Sequence, residues 1–464
     1  MSQLAPLVAR HATDPIAFIT QHIDSLDGYR GVIHAETFLS HVHSLAQQLP
    51  VNTHIINLCG NRYLFMVSIC AAMLRKQINL LPPNKNVATQ QRLSQRYADA
   101  YVLHDGIDVD EGIPSLNLQH IKINQTSVSA ANNVDIPLDQ LALISFTSGS
   151  TGDSQPNHKT WLTLNQSTSM NRRYMLPEVK QLYYVLATVP GQHMWGLETS
   201  VLMALFTDTC VVDAKPLFPS DISEALNMLP EPRAVVSTPV HLRALSASGL
   251  AFPNVDVVLC ATSPLTDKLA QQVEALFDAH LHEVYGCSEV GSMAIRKTAH
   301  DQRWLKFDGI SFTPLGQKTS NIASNTIVAS TQYLDQSIEL SDQIELYEDG
   351  YFRLLGRSSD MVDIAGKRGS LAEINKVLLT FEGLLDGIVI FPQQERAVPR
   401  LAAIVSLKDG YSAEQLKTHF RKYLDGVFVP RPIFYVEQLP REENGKLARK
   451  KVDALYTELT QKKN

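Results

Sequence analysis

The sequence predicts an α/β protein. Its large N-terminal domain holds parallel sheets and ends in a small β subdomain, and a small α+β domain follows. Three observations predict this. From about residue 37 to 290, short apolar strands alternate with amphipathic helices, the pattern of parallel sheets covered by helices. After about residue 300 the chain turns β-rich, with turn residues between the strands. After Gly356 strands and amphipathic helices mix over about 105 residues. The predicted domains are therefore 1–356, with the β-rich part at about 300–356, and 357–464.

In chain order, ETFLSHVHSLAQQL sets Phe38, Leu39, Val42, Leu45 and Leu49 at helical spacing. HIINLC (54–59) reads as a buried strand, LFMVSICAAMLRK as a helix and INLLP (78–82) as another strand. The apolar run Leu64–Leu74 is about half the ~20 residues a membrane-spanning helix needs, so it reads as a buried helix. The strands LALISF, YYVLATV, CVVDA, AVVSTP, VDVVLCA and LHEVYG follow, with the helices WGLETSVLMALF, DISEALNML and DKLAQQVEALF between most of them. WLKFDGISFTPL, NTIVAS and QIELYEDGYFRLL then read as strands, with a hairpin turn at Asp349-Gly350. In the last part MVDIAG, IVIFP, LAAIVSL and FYVEQL are strands. SLAEINKVLLTF, SAEQLKTHFRKYL and KLARKKVDALYTEL are helices, and the basic tail forms a solvated helix face.

Composition narrows the class. Of 464 residues, 44% are hydrophobic and 19% charged, ordinary for a soluble globular protein of two to four structural units. A net charge of −6 argues against broad nucleic-acid binding, which needs clustered positive charge. Cys59, Cys70, Cys210, Cys260 and Cys287 are odd in number, widely spaced and without a CxxC pair. They fit reduced thiols in the cytosol rather than disulfides or a zinc site. The start, MSQLAPLVARHATDP, has no basic segment leading into an apolar run, so the expectation is a cytoplasmic protein with no membrane span.

Four stretches carry chemistry. Thr147, Ser148, Gly149, Ser150, Thr151 and Gly152 follow the strand LALISF, and such a Gly/Ser/Thr loop between a strand and a helix offers backbone N–H groups and hydroxyls to phosphate. Lys159 adds a cation beyond it, at a spacing that is not the GxxxxGK[ST] loop. Tyr285-Gly-Cys-Ser-Glu289 ends the strand LHEVYG, where ligands of open α/β sheets gather and a carboxylate can hold Mg²⁺ against phosphate oxygens. Asp342, Gly356-Arg357 and Asp360 form a third stretch, in which a carboxylate at a turn suits the two hydroxyls of a ribose. In Leu439-Pro-Arg-Glu-Glu-Asn-Gly-Lys446, a lysine on a glycine-hinged loop can enter a site as a mobile point charge. Taken one at a time, the Thr147–Gly152 loop reads equally as a phosphate cradle or a polar turn, and a strand end, surface turn chemistry and a solubilising lysine account for the other three.

Their order and separations together resemble the ANL superfamily of adenylate-forming enzymes: acyl-CoA and aryl-CoA ligases, nonribosomal-peptide adenylation domains and luciferases. The resemblance runs from about residue 30 to 455. It implies that Thr147–Gly152 and Lys159 bind ATP phosphates. Tyr285 stacks on adenine and Ser288 touches phosphate, with Gly286 and Cys287 in the same segment, and Glu289 holds Mg²⁺. CATSPL (260–265), with Thr262 and Ser263, covers the other adenine face. Asp342 and Arg357 bind ribose. Lys446 is the implied catalytic lysine, and Arg368 contacts phosphate or serves the second half-reaction. His193, Trp195, Gly196, Ala261 and Gly291 border the acid pocket. Ser359 stands at the hinge of a mobile C-terminal domain, where the family usually has Asp or Lys. Leu354 replaces a common aromatic, and TGDSQPNHK is longer than the family's TGxPK.

The resemblance further implies ATP, Mg²⁺ and a small carboxylic acid as reactants, with a thiol as acceptor. The compact length and INLLPPN (78–84) look similar to stand-alone ligases of aryl-polyene-type clusters, which load the phosphopantetheine of an acyl carrier protein. Arg449, Lys450 and Lys451 suit an acidic carrier. Ile23-Asp24-Ser25-Leu26 matches a pantetheinylation motif and reads as coincidence. Free coenzyme A is the alternative acceptor. A non-catalytic nucleotide-binding regulator and a luciferase-like oxygenase are the other readings weighed.

Overall fold

Two sheets of mainly parallel strands organise the first of the two units of the computed structural model, as the alternating pattern requires. The structure describes residues 3–123, 133–147, 155–178, 181–315, 326–334, 336–357, 360–364, 367–392 and 400–462, and not the side chains of Thr147, Arg357 and Arg368. The first unit comprises Met1–Thr238, Ser248–Ala261 and Glu274–Ile295. The second comprises Pro239–Ala247, Thr262–Val273 and Arg296–Asn464.

The first sheet runs Gln155–Thr160, Leu141–Thr147, Ile78–Leu81, His54–Asn57, Tyr101–His104, Ser115–Asn117. All neighbours are parallel except the first pair. The second sheet of this unit runs Gly291–Arg296, His280–Cys287, Val257–Cys260, Arg233–Ser237, Tyr183–Ala187, Thr209–Val212, Pro15–Ile19, Gly31–His34. From His280–Cys287 to Pro15–Ile19 neighbouring strands are parallel. The apolar segment 64–74 lies in a helix, Arg62–Leu74, capped by the Asn61 side chain and buried along nearly its whole length. It packs against Ala35–Gln48 in one large core. Among the described residues no helix is long and apolar enough to cross a membrane.

In the second unit Trp304–Lys306, Tyr351–Arg357 and Asp342–Leu346 pair in that order, and Ile310–Pro314, Ile327–Thr331 and Ile338–Leu340 form a separate antiparallel sheet. Farther on, Leu384–Ile390, Ala402–Leu407 and Ile433–Tyr435 make a small sheet with Leu371–Leu379, Ala413–Tyr423 and Arg449–Gln461 as its helices. Val452 and Tyr456 of the last helix are buried with Ile404 and Phe434, while Arg449, Lys450 and Lys451 are exposed. The fold is thus mixed α/β with parallel sheets in a large N-terminal part and a smaller α+β C-terminal part.

Two details correct the sequence reading. Gln155–Thr160 is a strand antiparallel to Leu141–Thr147, so residues 148–154 join two strands, and the helix starts only at Trp161. WGLETSVLMALF is not one regular helix. It is α-helical at Met194–Gly196, π-helical at Leu197–Leu202 and α-helical again at Met203–Phe206.

Candidate active site

In the second sheet Tyr183–Ala187 has its successor Thr209–Val212 on one side and Arg233–Ser237 on the other. This is a topological switch point, and ligands of open parallel sheets bind beyond the carboxyl ends of the strands there. The segment that follows Ala187 lies over this point. Trp195 Nε1 donates to the Ser237 carbonyl at 3.1 Å, and the Thr188 and Ser237 hydroxyls meet at 3.0 Å. Gly196 packs its Cα against the Pro190 carbonyl, so a larger residue would collide with backbone. His193, half-buried, stands at the start of the short helix. Ala261 follows Cys260, which pairs with Ser237. Strand ends therefore gather four of the expected pocket residues.

The fifth, Gly291, sits across the turn from Tyr285–Glu289. Its φ is +98°, and an added Cβ would lie 2.6 Å from Glu198 Oε1, so both conformation and space require glycine. Gly286 packs directly against the Gly291 carbonyl. Tyr285, Cys287, Ser288 and Glu289 are all partly exposed at this end of the strand. Burial and the neighbouring charge of Glu289 push the Cys287 thiol up to about 12, which favours its protonated form.

Beneath this turn lie charges. Lys159, 2% exposed, donates from Nζ to the Glu289 carbonyl at 2.6 Å. Glu198, 3% exposed, lies in the π-helical turn. Its Oε2 accepts from Ser292 Oγ at 3.1 Å and from Asn171 Nδ2 at 3.4 Å. Burial raises the Glu198 pKa and lowers that of Lys159, while each charge steadies the other. The sequence reading missed Glu198. The available signal was a lone acid in an otherwise apolar helical run, and π-helical turns of this kind are frequent at functional sites. Of the Thr147–Gly152 loop only the Thr147 backbone is described, paired with Gln155. Ser148, Gly149, Ser150, Thr151 and Gly152 lie outside the described residues.

The second unit holds the rest. Strand register sets Asp342 directly opposite Arg357, the two positions expected at ribose. Arg368 pairs with Asp363 in the hairpin of Met361–Ile364 and Lys367–Ser370. Ser359 lies outside the described residues. Thr262 has φ +85°, unusual for a β-branched residue and typical of strained functional segments, and Ser263 beside it is partly exposed. Lys446 is exposed on a tight hairpin. Glu442 N donates to the Lys446 carbonyl at 2.8 Å, Gly445 takes φ +78°, and Lys446 N donates to Asn444 Oδ1 at 2.9 Å. Arg441 braces the turn through Asp386.

A cleft of about 360 Å³ in the first unit, with Gly60, Asn61, Asp105 and Asp213 among its lining, escaped the sequence reading. Its carboxylates are engaged within the protein. Asp105 accepts from the Gly60 and Asn61 N–H groups at 2.7 and 2.6 Å, and Asp213 from Thr20 N and Oγ1 at 2.8 and 2.7 Å. Ser25 of the Asp-Ser-Leu motif is 1% exposed, and its hydroxyl donates to the Leu118 carbonyl at 2.5 Å. That position offers no accessible attachment point for pantetheine.

The family model described as AMP-binding enzyme matches residues 49–314. The chain is 25% identical over 309 residues to a 4-coumarate–CoA ligase of Cereibacter sphaeroides, covering 65% of this chain and 69% of that one. It is 22% identical over 326 residues to a 3,4-dihydroxybenzoate–[aryl-carrier protein] ligase of Bacillus anthracis, covering 67% and 73%. The crystal structure of ATP-bound MatB from Rhodopseudomonas palustris superposes with a TM-score of 0.78 at 16% identity, covering 96% of each chain, a likeness of fold.

Proposed function

The chain belongs to the AMP-binding enzyme family as an adenylate-forming ANL enzyme, and from that premise we propose that it activates a small aryl or acyl carboxylic acid with ATP and passes the acyl group to the phosphopantetheine thiol of an acyl carrier protein. The observation that carries the reading is the Tyr285–Glu289 turn. It presents a partly exposed serine and carboxylate beyond the carboxyl end of a parallel strand, next to a switch point lined by His193, Trp195 and Gly196.

Among the described residues no cluster of three His, Cys, Asp or Glu side chains suits a metal ion. Mg²⁺ that keeps phosphate oxygens and water needs only one or two protein carboxylates, so Glu289 fits an ion that arrives with ATP. Bound there, Mg²⁺ supplies charge neutralisation on the phosphates. An oxygen of the acid attacks the α-phosphorus, the bond to the bridging oxygen breaks, and pyrophosphate leaves. Lys446 offers its ammonium to the charge that develops on the α-phosphate, and Asp342 with Arg357 holds the ribose. The part from residue 357 to 464 then turns about Ser359. The carrier's thiol sulfur attacks the acyl carbonyl, a thioester forms and AMP departs. The similarity to the aryl-carrier protein ligase supports this acceptor, as do exposed Arg449, Lys450 and Lys451.

A second reading keeps adenylation and uses free coenzyme A, favoured by the similarity to the coumarate ligase. ATP–pyrophosphate exchange across 4-hydroxybenzoate, cinnamates, fatty acids and amino acids tests adenylation. Thioester formation with a carrier protein against coenzyme A then decides the acceptor. Exchange with no acid, despite ATP binding, would sink the reading.

A further inference from the structure

We propose that Lys159 and Glu198 are positioning residues that grip the turn carrying Glu289, that Lys159 serves as this brace in place of the phosphate contact the resemblance implies, and that neither touches the nucleotide. The proposal rests on the adenylation reading. The turn is held at two points. Lys159 Nζ donates to the carbonyl of Glu289 itself at 2.6 Å. Glu198 accepts from Ser292 Oγ at 3.1 Å and presses its Oε1 against Gly291, where an added Cβ would stand 2.6 Å away. The holding residues come from separate elements. Lys159 lies in the strand that continues from residues 148–154, and Glu198 in the π-helical turn that continues from His193–Gly196. The grip thus joins the segment expected at phosphate and the helix expected at the acid to one carboxylate-bearing turn. Asn171 fixes Glu198 from a third element, donating to its Oε2 at 3.4 Å.

Both residues are almost wholly buried, 2% and 3% exposed. A buried pair of opposite charges is a poor stabilising device, since apolar residues of similar volume serve stability as well or better, whereas removal of one partner leaves an uncompensated charge. Lys159 directs its amine inward to a backbone carbonyl, so its geometry is that of a brace for Glu289.

The test is a double-mutant cycle of Lys159→Met and Glu198→Gln, with Ser292→Ala as a milder variant. It reads melting temperature, exchange kinetics, and hydrogen exchange of the amides of residues 288–292. Each single charge variant is expected to melt lower and to exchange pyrophosphate at least ~10-fold more slowly in kcat, with KM for ATP within about twofold of wild type. The double variant should regain the melting temperature but neither kcat nor amide protection. Ser292→Ala should keep its melting temperature, lose protection at 288–292 and lose several-fold in kcat. Recovery of kcat and protection in the double variant would overturn the proposal, as would a KM for ATP raised ~10-fold by Lys159→Met. Unchanged protection in Ser292→Ala would also overturn it. Wild-type protein inactive with every acid sinks the adenylation reading alone, because amide protection still reports the grip.

Discussion

Arg441 clasps Asp386 through two parallel bonds, Nε to Oδ2 at 2.7 Å and Nη2 to Oδ1 at 2.6 Å, and donates from Nη1 to the Gly445 carbonyl at 2.6 Å. The guanidinium therefore connects a strand of the C-terminal sheet to the residue before Lys446. Both side chains are about four-fifths shielded from solvent, and the two parallel charge-assisted bonds make this pair stronger than a single-contact surface ion pair. Asp386→Asn is expected to lower stability by about 1–3 kcal/mol and exchange activity by about 10-fold. Urea unfolding and exchange kinetics measure both. Full activity would show that the hairpin needs no brace.

Lys446→Ala removes an exposed side chain, so the fold should be untouched. Acid-dependent pyrophosphate exchange should fall by about 10²–10³-fold, the scale of losing one donor to a developing charge. A melting temperature equal to wild type together with this loss assigns the lysine to chemistry.

Gly291→Ala meets two obstacles, φ +98° and Glu198 Oε1 at 2.6 Å from the new Cβ. Gly309 has φ +77° with nothing within 4 Å, so Gly309→Ala reports the backbone contribution alone. Gly309→Ala should cost about 1 kcal/mol and Gly291→Ala about 2–4 kcal/mol, the excess being collision with the buried carboxylate. Equal losses in chemical denaturation would mean that Glu198 moves aside freely.

Arg449, Lys450 and Lys451 open a 13-residue helix that has no acidic residue in its first turn. Cations are unfavourable at this end of a helix dipole, and Arg449 gains only an exposed i,i+4 pair with Asp453 at 3.9 Å. Reversal to glutamate at all three should leave pyrophosphate exchange unchanged and slow thioester formation on an acidic carrier protein about 10-fold or more at low salt. The difference should shrink as salt rises. Unchanged loading would place the carrier elsewhere.

His41 is buried and bonded to the Tyr63 hydroxyl at 2.7 Å, and burial lowers its pKa to about 4. The unfolded imidazole titrates near 6.5, so between about pH 6.5 and 4 the unfolded state binds a proton that the folded state refuses. Stability present above pH 6.5 is lost as the pH falls, by about 3 kcal/mol from this group. His41→Gln keeps a polar partner for Tyr63 without titrating. Its unfolding free energy should therefore fall less steeply between pH 7 and 4 than that of wild type.

The strands of the parallel sheets were legible because they are short apolar runs between amphipathic helices. Leu141–Thr147 and Arg233–Ser237 lie within a residue or two of their expected places. Gln155–Thr160 was not, because QPNHKT carries no apolar alternation; its partner strand makes it a strand. The expected one-helix reading of 195–206 failed because periodicity does not register an extra residue per turn. At the candidate site, motif order is what singled out Tyr285–Glu289 and Lys446 as expectations. Glu198 was hidden in an apolar run, since its hydrogen-bond partners Ser292 and Asn171 are both distant in sequence.

The antiparallel register of Lys159 with Leu143 carries an evolutionary consequence. In a strand, inward and outward positions alternate, so what fixes the face of Lys159 is the parity of its pairing and not the number of residues in the preceding connection. His158 beside it is exposed and Lys159 buried. Lineages can therefore lengthen or shorten TGDSQPNHK ahead of the paired residues without turning the amine outward. A single-residue insertion within the paired segment would turn it out.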